Sequence, residues 1–279
     1  MKPRDTRWQD TIGWVITLIP LGLLAYPTVR WLVSQWLTNE YYSHGPLVPL
    51  VSAYLGWRVL RQRSTAPITG NPTPILLVVS AGLYLLAEVM AADYVAALAL
   101  IGLIGGVIGF LQGRTTLQRL ALPLAYLVFG VPFPFIDQLA VQMGSLTAAW
   151  ATRAVQLLGV AAVNEGGQVT LPSCSLVVGA PCSGVRSLVA LLALAAVWAF
   201  TVRGPRLTRI GLLLAAIPLA ALSNLLRITS LLWVAERWGV ETALSYYHDV
   251  SGPLFFALAL AGLLALSWGL KCRDLCSDI

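Results

Sequence analysis

Charge is what this sequence lacks. Asp, Glu, Lys and Arg make up 11% of its 279 residues, against 58% hydrophobic, and the mean hydropathy is +0.78. So little charge does not cover a soluble globule of this length, and the chain reads as an all-α polytopic membrane protein. Acids are scarcer than bases, 12 against 18, for a net charge of +6. The bases sit in short loops between apolar runs, so the excess reports topology and not nucleic-acid binding. Four cysteines, Cys174, Cys182, Cys272 and Cys276, are too few and too unevenly placed for a disulfide framework. There is no Cys-x-x-Cys or His/Cys cluster, and neither a metal nor a cofactor is expected. Internal repeats and low-complexity tracts are lacking as well.

What is present is a series of apolar runs, near residues 12–33, 45–61, 74–91, 94–112, 117–134, 183–202, 208–226 and 252–270, which predicts about eight transmembrane helices. The first is longer than a signal-peptide core and lacks an Ala-x-Ala cleavage site, so it reads as an uncleaved span. With the N-terminus in the cytoplasm, the inner loops hold Lys2, Arg4, Arg7, Arg58, Arg61, Arg63, Arg114, Arg119, Arg203, Arg206, Arg209, Lys271 and Arg273, which is 13 of the 18 bases. Arg30, Arg153, Arg186, Arg227 and Arg237 remain for the outer half. The asymmetry puts both termini inside.

Asp137 to Val160 is amphipathic. Were it to cross, the later basic loops would face out, so it is expected on or dipping into the outer leaflet as an interfacial helix. Between it and Cys182, Asn164-Glu165-Gly166-Gly167 is turn chemistry, and Gln168 to Leu171 and Leu176 to Val178 read as two short strands about Pro172 to Ser175. They predict a small β-like cap on the outer face.

That cap leads into Gly179-Ala180-Pro181-Cys182-Ser183-Gly184-Val185-Arg186. If a helix begins at Ser183, Cys182 lies at its N-terminus with Arg186 at i+4, an arrangement that favours a thiolate. Span lengths relate later residues to this level. From Ser183 to Arg203 is 20 residues, from Arg209 to Arg227 is 18, and from His248 to Lys271 is 23. At about 1.5 Å per residue each distance is about one hydrocarbon thickness, so Cys182, Arg227 and His248 share the outer interface. His44, 17 residues before Arg61, meets the same test. Cys182 is then a candidate nucleophile, His248 a proton carrier and Arg227 an oxyanion or carbonyl ligand, a set suited to acyl transfer through a thioester. Asn224, at i−3 to Arg227, suggests a fixed polar site.

Each residue also has a plainer account. A membrane cysteine is often inert packing, an interfacial arginine often snorkels, His248 and His44 suit helix starts, and Arg186 suits a structural or substrate-orienting role. Cys174 could pair with Cys182 or simply pack.

The blocks Pro181-Cys182-Ser183-Gly184-Val185-Arg186-Ser187-Leu188, Asn224-Leu225-Leu226-Arg227-Ile228, and His248 ahead of Ser251-Gly252 closely resemble the exosortase/archaeosortase family of membrane cysteine transpeptidases. Ser43 to Leu47, Gly130 to Pro134 and Gly166 to Leu171 are weaker similarities, and the match runs through nearly the whole chain. The resemblance implies a catalytic Cys182, Arg227 and His248, with the histidine in third place similar to the bacterial exosortase branch. Ser183, Asn224, Arg186 and His44 are expected to support the site or bind substrate. It implies a single membrane domain over 1–279, its catalytic part at about 131–270, in a bacterial inner membrane with the site facing outward. Substrates would be exported proteins ending in a Pro-Glu-Pro-like motif, one span and a basic tail, the new carboxyl passing to an acceptor that the sequence does not identify. Besides these, membrane lipid is the expected partner.

The alternative from another class is a transporter or polysaccharide-assembly protein in which Arg186 and Arg227 line an anion path. Such proteins place binding groups near the bilayer midplane, often in repeated halves, whereas the polar residues here gather at one interface. A scaffold without catalysis would leave the levelled Cys, Arg and His without a role.

Overall fold

The structure, a computed structural model, describes residues 6–61, 74–202 and 204–270, with side chains from residue 20 onward. Of the residues invoked above, Lys2, Arg4, Arg63, Arg203, Lys271, Cys272, Arg273 and Cys276 lie outside the described residues, and the side chain of Arg7 is not described. The chain divides into two compact units, Met1–Pro132 and Phe133–Ile279.

In the first unit the helices are α1 (Thr6–Thr38), α2 (Leu47–Arg61), α3 (Pro74–Val89) and α4 (Asp93–Tyr126). Gly113 interrupts α4 with φ 85° and ψ 168°, and a Cβ on Gly105 would lie 3.4 Å from both Leu117 and Leu124. In one straight helix residues 105 and 124 would stand about 28 Å apart. The chain therefore reverses at Gly113, and 93–112 packs antiparallel to 114–126, two consecutive helices where runs were expected at 94–112 and 117–134. Glycines also let α4 approach α3: a Cβ on Gly106 would be 2.6 Å from the Leu77 backbone, and one on Gly102 would be 2.6 Å from Ser80 Oγ. Small residues four apart are a common device for helix contact where lipid removes the hydrophobic drive. Polar side chains tie α1 to α3. Thr28 donates to Glu88 at 2.8 Å, and buried Tyr84 donates to the Leu24 carbonyl at 2.7 Å.

In the second unit α5 (Phe135–Leu157) is followed by the strands β1 (Val163–Glu165), β2 (Gln168–Thr170) and β3 (Ser175–Val177), then α6 (Val185–Thr201), α7 (Arg206–Trp238), the single turn α8 (Val240–Thr242) and α9 (His248–Gly269). The amphipathic stretch is thus α5. Its buried stripe, Ala140, Gly144, Ala148, Ala151 and Val155, repeats every three to four residues and is mostly small, which lets the helix lie close against its neighbours. The sheet is an antiparallel meander in the order β1-β2-β3, with Val163 opposite Thr170 and Val169 opposite Leu176. Three strands form where two were expected. Gly166 and Gly167, both at positive φ, make a tight hairpin turn that gives Val163–Glu165 a partner. One face of the sheet, with Val169, Leu171, Leu176 and Val178, joins Ala148, Ala151 and Val155 of α5 and Ile228, Leu231 and Leu232 of α7 in a common core. That core explains why α7 runs on to Trp238, 12 residues beyond the expected end of the span at 226.

Helix occupies all eight expected segments. Among the described residues four stretches are long and apolar enough to cross a membrane, Asp93–Gly130, Ala180–Thr201, Arg206–Trp238 and Val240–Gly269, and α3 is a shorter apolar helix. The protein is a helical membrane protein with a small sheet.

Candidate active site

Cys182 ends a 3-10 turn, Ala180–Cys182, closed by its N–H to the Gly179 carbonyl at 2.9 Å. The helix does not begin at Ser183. Gly184 is left-handed, with φ 78° and ψ 4°, and α6 starts at Val185. Cys182 therefore precedes the helix by three residues, and the i+4 argument that aimed Arg186 at it does not apply, because no continuous helix joins them. Ser183 is buried and accepts the Val185 N–H at 3.3 Å, taking one of the orphan donors of the first turn. Arg186 is exposed.

Two helices hold this turn. From α5, Gly144 meets its entry: a Cβ there would lie 3.0 Å from the Gly179 carbonyl oxygen. From α7, buried Asn224 donates through Nδ2 to the Cys182 carbonyl at 2.9 Å. Asn224 presses so closely on Gly184 that a Cβ on the glycine would be 2.6 Å from its Cγ and 2.8 Å from its Cβ. The Cys-Ser-Gly motif thus has a steric reason. The glycine supplies both the left-handed turn and the space for the asparagine that grips the cysteine's own carbonyl.

Arg227, one turn beyond Asn224, brings its guanidinium within electrostatic reach of the Cys182 thiol, and of Arg186 and the Tyr247 phenol. Burial of the thiol opposes its ionisation, and the Arg227 cation offsets part of that cost. The side chain is half-buried and held by a hydroxyl on the next helix. Its Nε donates to Ser251 Oγ at 3.4 Å, and Ser251, 1% exposed, donates to the His248 carbonyl at 3.2 Å. Its own carbonyl accepts from Ser230 at 2.8 Å, and Ser230 accepts from Tyr247 at 2.7 Å. Both ends of Arg227 are thereby tied to the segment that carries the histidine.

His248 is the first residue of α9, just after a π-helical turn at Ala243–Tyr247. Its Nδ1 lies 3.3 Å from Asp249 Oδ1, and the ring remains partly open to the surroundings. With the carboxylate accepting from Nδ1–H, Nε2 is the nitrogen left to take or give a proton. His248 is connected to Arg227 through Ser251, while its imidazole's hydrogen-bond partner among the described residues is Asp249.

The remaining candidates divide clearly. His44 belongs to the first unit, in the connection between α1 and α2, with Nε2 at 3.3 Å from the Phe129 carbonyl and a buried Nδ1 that has no partner among the described residues. Burial pushes its pKa down, and the bond to Phe129 offsets part of this. Cys174 is a free thiol, as is Cys182, and both pack against the core beneath the sheet. Among the described residues no group of His, Cys, Asp and Glu could hold a metal ion. Beside the turn, α5 and α7 flank a cleft of about 320 Å³ that reaches Thr147, Ser183 and Asn224 and is otherwise lined by apolar side chains such as Leu146, Trp150 and Leu222.

Sequence reasoning missed Gly184, Ser230, Tyr247, Ser251 and Asp249 as members of this constellation. Ser251-Gly252 enters the sequence reading only as part of the motif that follows His248. That its hydroxyl faces Arg227 depends on the rotation of α9 about its axis.

Fold and site together define a helical membrane protein with a thiol within electrostatic reach of an arginine inside one compact unit. The family model for transmembrane exosortase matches residues 36–265. The chain belongs to that family, whose members process substrate proteins that carry sorting signals. Comparisons with curated proteins and with solved structures find no match.

Proposed function

We propose that the protein is a membrane cysteine peptidase and transpeptidase that removes C-terminal sorting tails of the Pro-Glu-Pro type. The observation that carries this reading is Arg227, held by a buried hydroxyl and charge-coupled to a cysteine whose turn is fixed by Asn224. His248 takes the Cys182 proton, and the thiolate attacks the scissile carbonyl. Arg227 stabilises the oxyanion; the C–N bond then breaks and the leaving amine takes the proton from His248, leaving a thioester on Cys182. An acceptor nucleophile gives its proton to His248, attacks the thioester and frees the thiolate. Asp249 holds the imidazole, Ser183 and Asn224 hold the turn, and Arg186 and His44 support the site or its substrate. Family membership favours this enzyme over an anion transporter.

The same reading takes eight spans, cytoplasmic termini, α5 at the outer interface, and a site on the outer face of a bacterial inner membrane. The catalytic part is about 131–270 of a single membrane domain. Cys182→Ala should abolish removal of the tail from a co-expressed substrate; processing at the parent rate refutes the nucleophile. In intact spheroplasts an impermeant thiol reagent should label Cys182, and labelling that requires broken membranes refutes the orientation.

A further inference from the structure

The facing ends of α6 and α7 enclose a second cleft, of about 260 Å³, lined by Ala199, Phe200, Arg206, Arg209, Ile210 and Leu213. We propose that it binds one anionic phospholipid. This inference is independent of the catalytic reading and of which face of the membrane the cleft occupies.

The cations come first. Arg209 is immobilised: Nε donates to the Ala199 carbonyl and Nη2 to the Phe200 carbonyl, and the guanidinium carbon lies 5.5 Å from the Phe200 ring centroid. It closes the C-terminal end of α6, where carbonyls lack helical partners, and it leaves a fixed positive charge at the rim. Arg206 is exposed three residues earlier on α7, a spacing that puts it on the same side of the helix. Among the described residues no carboxylate lines the cleft, so within that lining its two charges meet no counter-ion.

The rest of the lining is apolar, and the apolar surface continues. Leu207, Ile210, Leu214 and Ile217 are 82%, 53%, 57% and 46% exposed along α7. Ile210, Leu214 and Ile217 follow one another at helical spacing, so they form a single track leading away from the arginines. A free anion satisfies the two guanidinium groups and wets the track. A zwitterionic lipid covers the track and brings an ammonium to the arginines. An anionic phospholipid matches both, with its phosphate at Arg206 and Arg209 and an acyl chain along the track. The cleft takes the headgroup and the first part of a chain, and the exposed strip takes the remainder.

The test uses the full chain, purified from vesicles of mixed phosphatidylglycerol and phosphatidylcholine, with retained lipid counted by native mass spectrometry. One phosphatidylglycerol should be retained in preference to phosphatidylcholine, by about fivefold for each arginine engaged. Arg206→Gln should lower the preference about fivefold, and Leu213→Trp, which fills the cleft and leaves both charges, should lower retention of either lipid. Arg237→Gln, at the far end of α7, should change nothing. Equal losses in Arg206→Gln and Arg237→Gln would mean that charge alone attracts lipid, and parent-like retention in Arg206→Gln would mean that the cleft is empty of it; either overturns the proposal. Displacement of the lipid by inorganic phosphate in Leu213→Trp and parent alike overturns the acyl-chain contribution.

Discussion

Gly184→Ala is the substitution that asks most of this structure. The glycine sits at φ 78°, a region that costs an L-residue about 1 to 2 kcal/mol. The new methyl would stand 2.6 Å from Asn224 Cγ and 2.8 Å from Asn224 Cβ. Because that Cβ is anchored in the middle of α7, rotation of the side chain does not relieve the contact, and overpacking of this kind costs about 1 to 3 kcal/mol more. Relief requires either the turn or the asparagine to move, which breaks the 2.9 Å bond from Nδ2 to the Cys182 carbonyl, worth about 1 kcal/mol. The expected total is about 3 to 6 kcal/mol, a large share of the stability of a domain. Two assays separate the contributions. Thermal unfolding in detergent reads the stability loss, and the rate of maleimide addition to Cys182 reads whether the turn has shifted relative to Arg227. Gly184→Asn tolerates the left-handed conformation but still carries a Cβ, so it should be nearly as damaged as Gly184→Ala if the clash dominates. Asn224→Ala should cost less in the Gly184→Ala background than in the parent, since the shared contact is already lost. A Gly184→Ala protein that unfolds within about 0.5 kcal/mol of the parent, with unchanged thiol reactivity, refutes the whole account of this turn.

Further outcomes follow from the other contacts. Asn224→Asp keeps the volume but removes the donor, leaving the Cys182 carbonyl facing an oxygen, and should destabilise by about 2 kcal/mol in chemical unfolding; a neutral result argues that the bond contributes nothing. Ser251→Ala should lower the processing rate about tenfold through the lost anchor on Arg227, with Ser251→Thr restoring most of it and the melting temperature little changed. A loss of melting temperature in proportion to activity would reduce Ser251 to a packing residue. His44 has a pKa depressed by burial from its ordinary 6.5. An unfolded chain then binds more protons than the folded one below that value, so stability should fall as pH drops through 6.5 toward the folded pKa. His44→Gln should flatten that part of the melting profile, and an unchanged slope would assign the effect to another group.

Much of this protein is legible as one-dimensional chemistry. Scarce charge and long apolar runs identify a helical membrane protein because the bilayer demands both, and each expected segment is helical. Arithmetic on helix rise also pairs Cys182 with Arg227, since depth in a membrane is nearly a linear function of sequence position. The hidden features are those that depend on the azimuth of one helix against another. Nothing local to Ser251 says that its hydroxyl meets Arg227, and nothing local to Asn224 says that it reaches the Cys182 carbonyl. Gly113 lies in the break expected between the runs 94–112 and 117–134, and the return is seen where Gly105 meets Leu117 and Leu124. The helix start at Ser183 failed for a related reason, because the left-handed Gly184 is imposed by the asparagine packed against it. By itself the sequence determined the class of protein and the location of its helices, because these follow from hydrophobicity and rise per residue. The tertiary structure alone decided how the thiol is aimed, because rotation and close approach of helices are settled by contacts between residues far apart in the chain.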